Sequence, residues 1–319
     1  MPMLLSVEDF MAKAYFAANL NQARRSGGLP RLHPWDTRAM ATPELSPIID
    51  IGQLHDLEGT ADLDLVICDC RAYLDQREGL DAYRAGHIPQ ARFVDLETVL
   101  SAPPQAGTGG GRHPLAEPAV FAAGLGRLGI GHASTVVAYD DAGGAIAARL
   151  VWMLRTLGQP AAILDGGIGV WDGELETGEP SFVAVEHAPR DFPRNAMATR
   201  EEVGAALEAG HLVVDSRGPE RYRGEVEPLD AIAGHIPGAT NLPFAGNLDS
   251  GQMRPTTELR QRFASINADP ATIYYCGSGV TACHNMLVAE ALGIGRGRLY
   301  VGSWSGWIDL AEPSVETAF

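Results

Sequence analysis

The stretch Tyr274-Tyr275-Cys276-Gly277-Ser278-Gly279-Val280-Thr281-Ala282-Cys283-His284-Asn285 sets a cysteine between two different residue patterns. Ahead of it, the apolar run Thr272 to Tyr275 predicts a short buried strand. Behind it come two glycines within three residues, then a helical pattern from Val280 to Leu292 that stops at Gly293. A side chain at such a junction meets backbone N–H groups that the first turn of the helix leaves unpaired. Those donors and the positive end of the helix dipole favour a thiolate over a thiol. The glycines let the loop curl until several N–H groups converge on one sulfur or on its bound anion. Cys276 is therefore read as a reactive thiol, although a free cysteine more often serves as a small buried hydrophobe.

Working outward, the same pattern occurs twice. Asp69-Cys70-Arg71 and Asp215-Ser216-Arg217 each end an apolar run, 146 positions apart. Gly86-His87-Ile88-Pro89 returns as Gly234-His235-Ile236-Pro237 at an offset of 148. Tyr139-Asp140 matches Tyr275-Cys276, and Asp165-Gly166-Gly167 with Trp171 matches Val301-Gly302-Ser303 with Trp307, both at 136. These features in one order predict two copies of one domain. Strand runs (Val66–Cys70, Val136–Tyr139, Leu212–Asp215, Thr272–Tyr275) alternate with helical runs (Ala145–Leu157, Val280–Leu292). That alternation predicts an α/β fold, each copy a mainly parallel sheet flanked by helices. The expected organisation is an extension at 1–45, a first domain at 46–180, a linker at 181–197 holding Pro189 and Pro193, and a second domain at 198–319. The copies differ at the loop: Asp140 stands where Cys276 does, and an aspartate is no sulfur nucleophile. The first copy also carries about a dozen extra residues, assigned to the Pro- and Gly-rich run Ala102 to Pro118, which contains Arg112 and His113. A long loop of that kind is often functional.

The bulk composition narrows the function classes. A length of 319 residues suits two domains, and a net charge of −16 argues against nucleic-acid and anionic-membrane surfaces. No apolar run approaches the ~20 residues that span a bilayer. Val7 to Arg25 has a helical pattern with acidic flanks and no basic cluster, so it is not read as a signal peptide. Of the cysteines at 68, 70, 276 and 283, the first two stand too close for a zinc knuckle or a disulfide framework. A reducing cytoplasm is the expected compartment, with no metal or other cofactor. Cys283, about two helical turns past Cys276, is expected to face the core, and Trp304 and Trp307 to pack rather than stack on a substrate.

Taken together, both Gly-His-Ile-Pro motifs, the aspartate-for-cysteine exchange and Gly-Ser-Trp-Ser-Gly-Trp at 302–307 resemble the tandem rhodanese-domain sulfurtransferases over roughly residues 46–319. The resemblance implies two facing rhodanese domains with the active site at their interface, on the loop of the second. It implies that a small-molecule donor passes a sulfane sulfur to Cys276, whose persulfide hands it to cyanide or to a thiol such as thioredoxin. The loop Cys276-Gly277-Ser278-Gly279-Val280-Thr281 is similar to that of 3-mercaptopyruvate sulfurtransferases, whereas thiosulfate-preferring members carry cations after the cysteine. Ser278 is then expected to relay a proton together with a first-domain histidine, here His87, and an aspartate, either Asp81 or Asp75, with Asp81 carried as the candidate. Arg221 matches an arginine that binds the donor's anionic end, and Gly277, Gly279, Val280 and Thr281 complete the expected donor site. A second arginine is typical nine residues later, but Asp230 stands there, where a carboxylate is expected to repel a keto acid. Arg112, on the inserted loop of the other domain, is expected to take its place.

The residues also define the competitors. Arg71 and Arg217, like His87 and His235, recur in both copies, so a structural duty is expected of each, with a further catalytic part for His87. A phosphatase or arsenate reductase needs an arginine closing the cysteine loop, and residues 277–283 contain none. A thiosulfate-preferring enzyme and a non-enzymatic persulfide carrier or scaffold remain as alternatives.

Overall fold

A computed structural model describes residues 45–75, 77–310 and 313–317, so the helix expected between Val7 and Arg25 lies outside the described residues. The first copy runs β1 (Ile48–Ile49), α1 (Ile51–Glu58), β2 (Leu65–Asp69), α2 (Gly79–Ala85), β3 (Arg92–Phe93), α3 (Pro118–Arg127), β4 (Thr135–Tyr139), α4 (Ala147–Thr156) and β5 (Ala161–Leu164). The second runs β6 (Met197–Ala198), α5 (Arg200–Glu208), β7 (Val213–Asp215), α6 (Pro219–Arg223) and β8 (Thr240–Asn241). It continues through a small antiparallel hairpin, β9 (Leu248–Asp249) and β10 (Gln252–Met253), to α7 (Thr256–Ala264) and β11 (Ile273–Tyr275). It closes with α8 (Ala282–Ala291), β12 (Arg298–Tyr300) and α9 (Ser303–Ile308).

Each copy builds a five-stranded sheet in which every pairing is parallel. The orders, β1-β5-β4-β2-β3 and β6-β12-β11-β7-β8, are the same topology traced twice. The central strands β4 and β11 are buried along their whole length, which is why they read as unbroken apolar runs and not as alternations. Helices α1 and α5 open with matching capping boxes, Asp50 with Gln53 and Thr199 with Glu202, a repeated signal of helix entry. Helices α4 and α8 pack against each other, and one apolar cluster containing Leu150, Val151, Met286 and Leu287 is shared by the two copies. The second domain is thus anchored to the first through core side chains. Among the described residues no helix is long and apolar enough to cross a membrane.

The repeated motifs act alike in both copies. Arg71 clasps the carboxylate of Asp69 and donates to the Gly86 carbonyl at 2.7 Å; Arg217 does the same with Asp215 and Gly234, also at 2.7 Å. His87 holds the Tyr83 carbonyl through Nδ1 at 2.8 Å and stacks on that ring. His235 treats Tyr222 identically, at 2.7 Å. A tyrosine from the central strand, Tyr139 or Tyr275, accepts the N–H that follows each histidine. These are turn-fixing networks.

The inserted run follows neither copy. It is pinched at its base, where Ser101 and Leu115 bridge and the Ala102 N–H meets the Pro114 carbonyl at 3.0 Å. Its tip leaves the first sheet and lies on α9 of the second copy. There Gly109 N–H donates to Asp309 (3.2 Å) and Arg112 N–H to Ser305 Oγ (3.0 Å). The segment between the copies is held too: Val185 N–H donates to the Gly126 carbonyl in the last turn of α3.

Candidate active site

Cys276 directly follows β11 and is 2% exposed. Its loop turns back at Gly279, where φ is +77° and a Cβ would stand 2.6 Å from the Val301 carbonyl oxygen, so no other residue fits without strain. That turn aims the Gly279 N–H at Cys276 Sγ, 3.1 Å away. The Cys276 N–H is tied to Ser303 Oγ at 3.1 Å, which fixes the sulfur at the mouth of the curl. The N–H groups of Gly277, Ser278, Val280, Thr281 and Ala282 take no acceptor among the described residues, so an anion added at the sulfur finds donors waiting. The first copy supplies the comparison. Asp140 fills its own curl, its carboxylate accepting from the N–H groups of Ala142, Gly144, Ile146 and Ala147 at 2.8–2.9 Å. Burial nonetheless pushes the Asp140 carboxyl above its ordinary value, with the four N–H bonds opposing it. One backbone shape thus holds a carboxylate in one copy and a sulfur in the other.

A cavity of about 190 Å³ opens over the sulfur, with walls from both copies. The inserted loop brings Arg112 and His113 to it. A Cβ placed on Gly277 would lie 3.0 Å from Arg112 Nη2 and 3.5 Å from both terminal nitrogens of Arg221, so two guanidiniums stand over the cysteine loop. Beneath them Asp230, its side chain 4% exposed, pairs with Arg112 on one oxygen and with Arg221 on the other, the latter at 3.1 Å. Glu227 holds Arg221 from behind at 2.7 Å. Asp230 therefore turns away from the cavity and joins the arginines, in place of the repulsion expected of it. Burial, and then the charge of Arg221, lower the Arg112 guanidinium from its ordinary value.

In the same cavity Ser278 Oγ lies 2.7 Å from His113 Nδ1, and His113 Nε2 lies 2.9 Å from Glu97 Oε1. An ionised carboxylate only accepts, so Nε2 carries the imidazole proton and Nδ1 accepts from the serine hydroxyl. Burial lowers the His113 value despite Glu97, which keeps the ring neutral and able to act as a base.

These contacts differ from those expected from sequence. His87 is fully buried in its turn and holds Tyr83, and Asp81 is an exposed residue of α2 paired with Arg84; neither lines the cavity with Ser278. Asp75 is also exposed, paired with Arg77. The difference is one of placement: the turn that both copies share holds His87 on the Tyr83 carbonyl, while the inserted loop carries His113 to Ser278. The signal that identifies His113 is its position beside Arg112 in the unshared insertion, and Glu97 carried none. Of the other expected residues, Cys276, Ser278, Gly277, Val280, Thr281, Arg221 and Arg112 line the cavity, and Gly279 shapes it from behind. Cys283 is buried, with burial pushing its thiol up to about 12. Trp304 and Trp307 pack, each donating its indole N–H to a backbone carbonyl.

Comparison with known proteins places this arrangement. The rhodanese-like domain model matches twice, at residues 51–174 and 199–310. Over 269 residues the chain is 44% identical to the "Probable 3-mercaptopyruvate sulfurtransferase" of Pseudomonas aeruginosa, covering 80% of this chain and 93% of that one. It is 35% identical over 245 residues to the "Thiosulfate sulfurtransferase" of Azotobacter vinelandii, covering 73% and 87%. The crystal structure of the 3-mercaptopyruvate sulfotransferase SseA from Escherichia coli matches with a TM-score of 0.70 at 30% identity, covering 82% of this chain and 99% of that one. The chain belongs to the rhodanese-like family, in its tandem-domain form. It is an enzyme of the sulfurtransferase type.

Proposed function

We propose that the chain moves a sulfane sulfur from 3-mercaptopyruvate through a Cys276 persulfide to a thiol acceptor of the thioredoxin or small-thiol kind, or to cyanide. Residues 198–319 form the catalytic domain, and residues 46–180 form an inactive domain that shapes the site. The Cys276 thiolate attacks the mercapto sulfur; the S–S bond forms as the C–S bond breaks, and the C–S electron pair leaves as the pyruvate enolate. The mercapto proton passes by way of Ser278 and His113 to the enolate carbon, so thiolate and mercaptopyruvate give a persulfide anion and pyruvate. The acceptor thiolate then takes the outer sulfur of the protonated persulfide and returns Cys276 to its thiolate. Arg112 and Arg221 hold the donor carboxylate, while the loop N–H groups hold the charge on sulfur.

The observation that carries this reading is the Ser278–His113–Glu97 chain beside the sulfur. Sulfite leaves thiosulfate as a stable anion that needs no proton. A carbon leaving group does need one, and a hydroxyl backed by a neutral imidazole supplies the route. The four thiols are all free and buried, which supports a reducing cytoplasm as the working compartment. Thiosulfate is the second donor, favoured by the paired guanidiniums and by the relative from Azotobacter vinelandii. The test is kcat/KM for both donors in wild type and Ser278→Ala. A loss of about 100-fold or more with mercaptopyruvate, and of only a few-fold with thiosulfate, is expected; equal losses overturn the proton route. Intact mass after donor treatment should show one added sulfur, absent in Cys276→Ser.

A further inference from the structure

Helix α4 of the first copy brings one more charge to the site, and no carboxylate comes with it. Arg149 is 0% exposed. Its Nη1 donates to the Gly279 carbonyl at 2.8 Å and its Nη2 to the His113 carbonyl at 3.1 Å. One carbonyl belongs to the residue whose N–H reaches Cys276 Sγ, and the other to the imidazole that faces Ser278. Its Nε is buried with no acceptor. A guanidinium out of water, held by neutral carbonyls and with one N–H unmet, is costly unless negative charge stands close by.

The surrounding charges show where that negative charge has to be. Arg112 pairs with Asp230, Arg221 with Glu227 and Asp230, and Arg217 with Asp215 and Glu227. Those three guanidiniums are therefore matched by three carboxylates, Arg71 and Arg77 on the cavity wall pair with Asp69 and Asp75, and Glu97 is engaged by His113. Arg149 has no carboxylate partner among the described residues; the ionisable groups that act on it are Cys283 and Cys276. Cys283 donates its S–H to the Gly279 carbonyl at 3.4 Å, and burial keeps it a thiol. Cys283 also hydrogen-bonds the guanidinium, but as a neutral thiol, which leaves the Cys276 sulfur to carry the negative charge.

We propose that Arg149 is a positioning residue serving as the buried counter-charge of the Cys276 sulfur, as thiolate and as persulfide. The copy without a cysteine thus supplies the charge that the other copy's cysteine works against. This rests on Cys276 being the sulfur carrier, which sulfur loading in wild type and its loss in Cys276→Ser report separately.

The test is iodoacetamide alkylation of the full chain at pH 7 and pH 10, followed by mass, with Cys276→Ser as the blank. Arg149→Gln keeps N–H donors for a carbonyl and removes the charge, whereas Arg149→Lys keeps the charge. Arg149→Gln is expected to react about tenfold more slowly than wild type at pH 7 and within about twofold at pH 10, above the range of ordinary free thiols. Arg149→Lys is expected within about threefold of wild type at both. A wild-type rate for Arg149→Gln at pH 7, or equal slowing at both pH values, overturns the proposal. Should Arg149→Gln fail to fold, a second measurement leaves Arg149 intact and removes the two cavity cations that stand over the cysteine loop with Arg112→Gln and Arg221→Gln. A charge pair stabilises only where the thiol is ionised. The melting temperature of this protein, relative to the same protein with Cys276→Ser, should therefore rise by about 2 °C from pH 6 to pH 9. A flat difference overturns the assignment to Arg149.

Discussion

Asp230 looks hostile to an anionic donor, and its position reverses that impression. The carboxylate lies under the guanidiniums of Arg112 and Arg221 and binds one with each oxygen. It sets the spacing of the two cations and leaves their outer N–H groups to the cavity. One arginine comes from each copy, so this carboxylate also stitches the cavity wall across the interface. Two substitutions separate clamp from repulsion. Arg112→Ala should raise KM for mercaptopyruvate by about 10- to 100-fold with kcat changed only a few-fold, because it removes binding shared by ground and transition states. Asp230→Ala should also raise KM, since the arginines lose their common anchor; a repelling aspartate would instead give a lower KM when removed. Steady-state kinetics on the two variants decide the sign.

The inserted run shows how an element without helix or strand is held in register. Its tip crosses to α9 only because that helix presents glycines: a Cβ at Gly302 or Gly306 would come within 2.3 and 2.2 Å of the Gly109 carbonyl oxygen. Gly306→Ala should therefore lift the tip and carry Arg112 and His113 with it. The expected cost is about 1–3 kcal/mol of stability from overpacking and a loss of at least about tenfold in mercaptopyruvate turnover, given what a small displacement of a catalytic group does. Alkylation of Cys276 should persist in that variant, since its loop is held by Ser303 and Gly279. Unchanged turnover would show that the tip tolerates the extra methyl group. The same element marks the limit of what sequence discloses. Strand ends, the cysteine curl and the Gly-His-Ile-Pro turns were legible because each occurs twice and a local pattern determines it. The reach of Arg112 was legible because the insertion had to lie somewhere and Arg221 lacked a partner. The pairing of Ser278 with His113 was not, because a contact between residues 165 positions apart is set by how two domains meet. The family resemblance drew attention to His87, whereas the histidine that meets Ser278 stands in the unrepeated loop.

At the scale of the whole molecule, duplication gave two like sheets, and function then required that they differ and stay joined. The join is apolar along α4 and α8, with His284 as a polar pin inside it. His284 is 0% exposed; its Nε2 faces the Gly143 carbonyl of the first copy at 3.1 Å, and its Nδ1 faces Asn247 Nδ2 of the second at 3.3 Å. A carbonyl accepts and an amide nitrogen donates, so both contacts are satisfied by the neutral ring with its proton on Nε2. A second proton would set donor against donor, and burial pushes His284 down to about 4. The sign follows directly. Between its ordinary value of 6.5 and about 4, the unfolded chain binds a proton that the fold refuses. This contribution is whole above pH 6.5, falls as the pH drops through that window, and levels off below about 4. Its size is about 2–3 kcal/mol between pH 7 and pH 4.5. His284→Gln keeps a polar side chain of similar reach but does not titrate. Urea denaturation at the two pH values should show wild type losing about 2 kcal/mol more than this variant on acidification. Equal losses would mean that the domain interface accepts the protonated ring. The expected result would make this histidine the group that couples the seal between the two copies to pH.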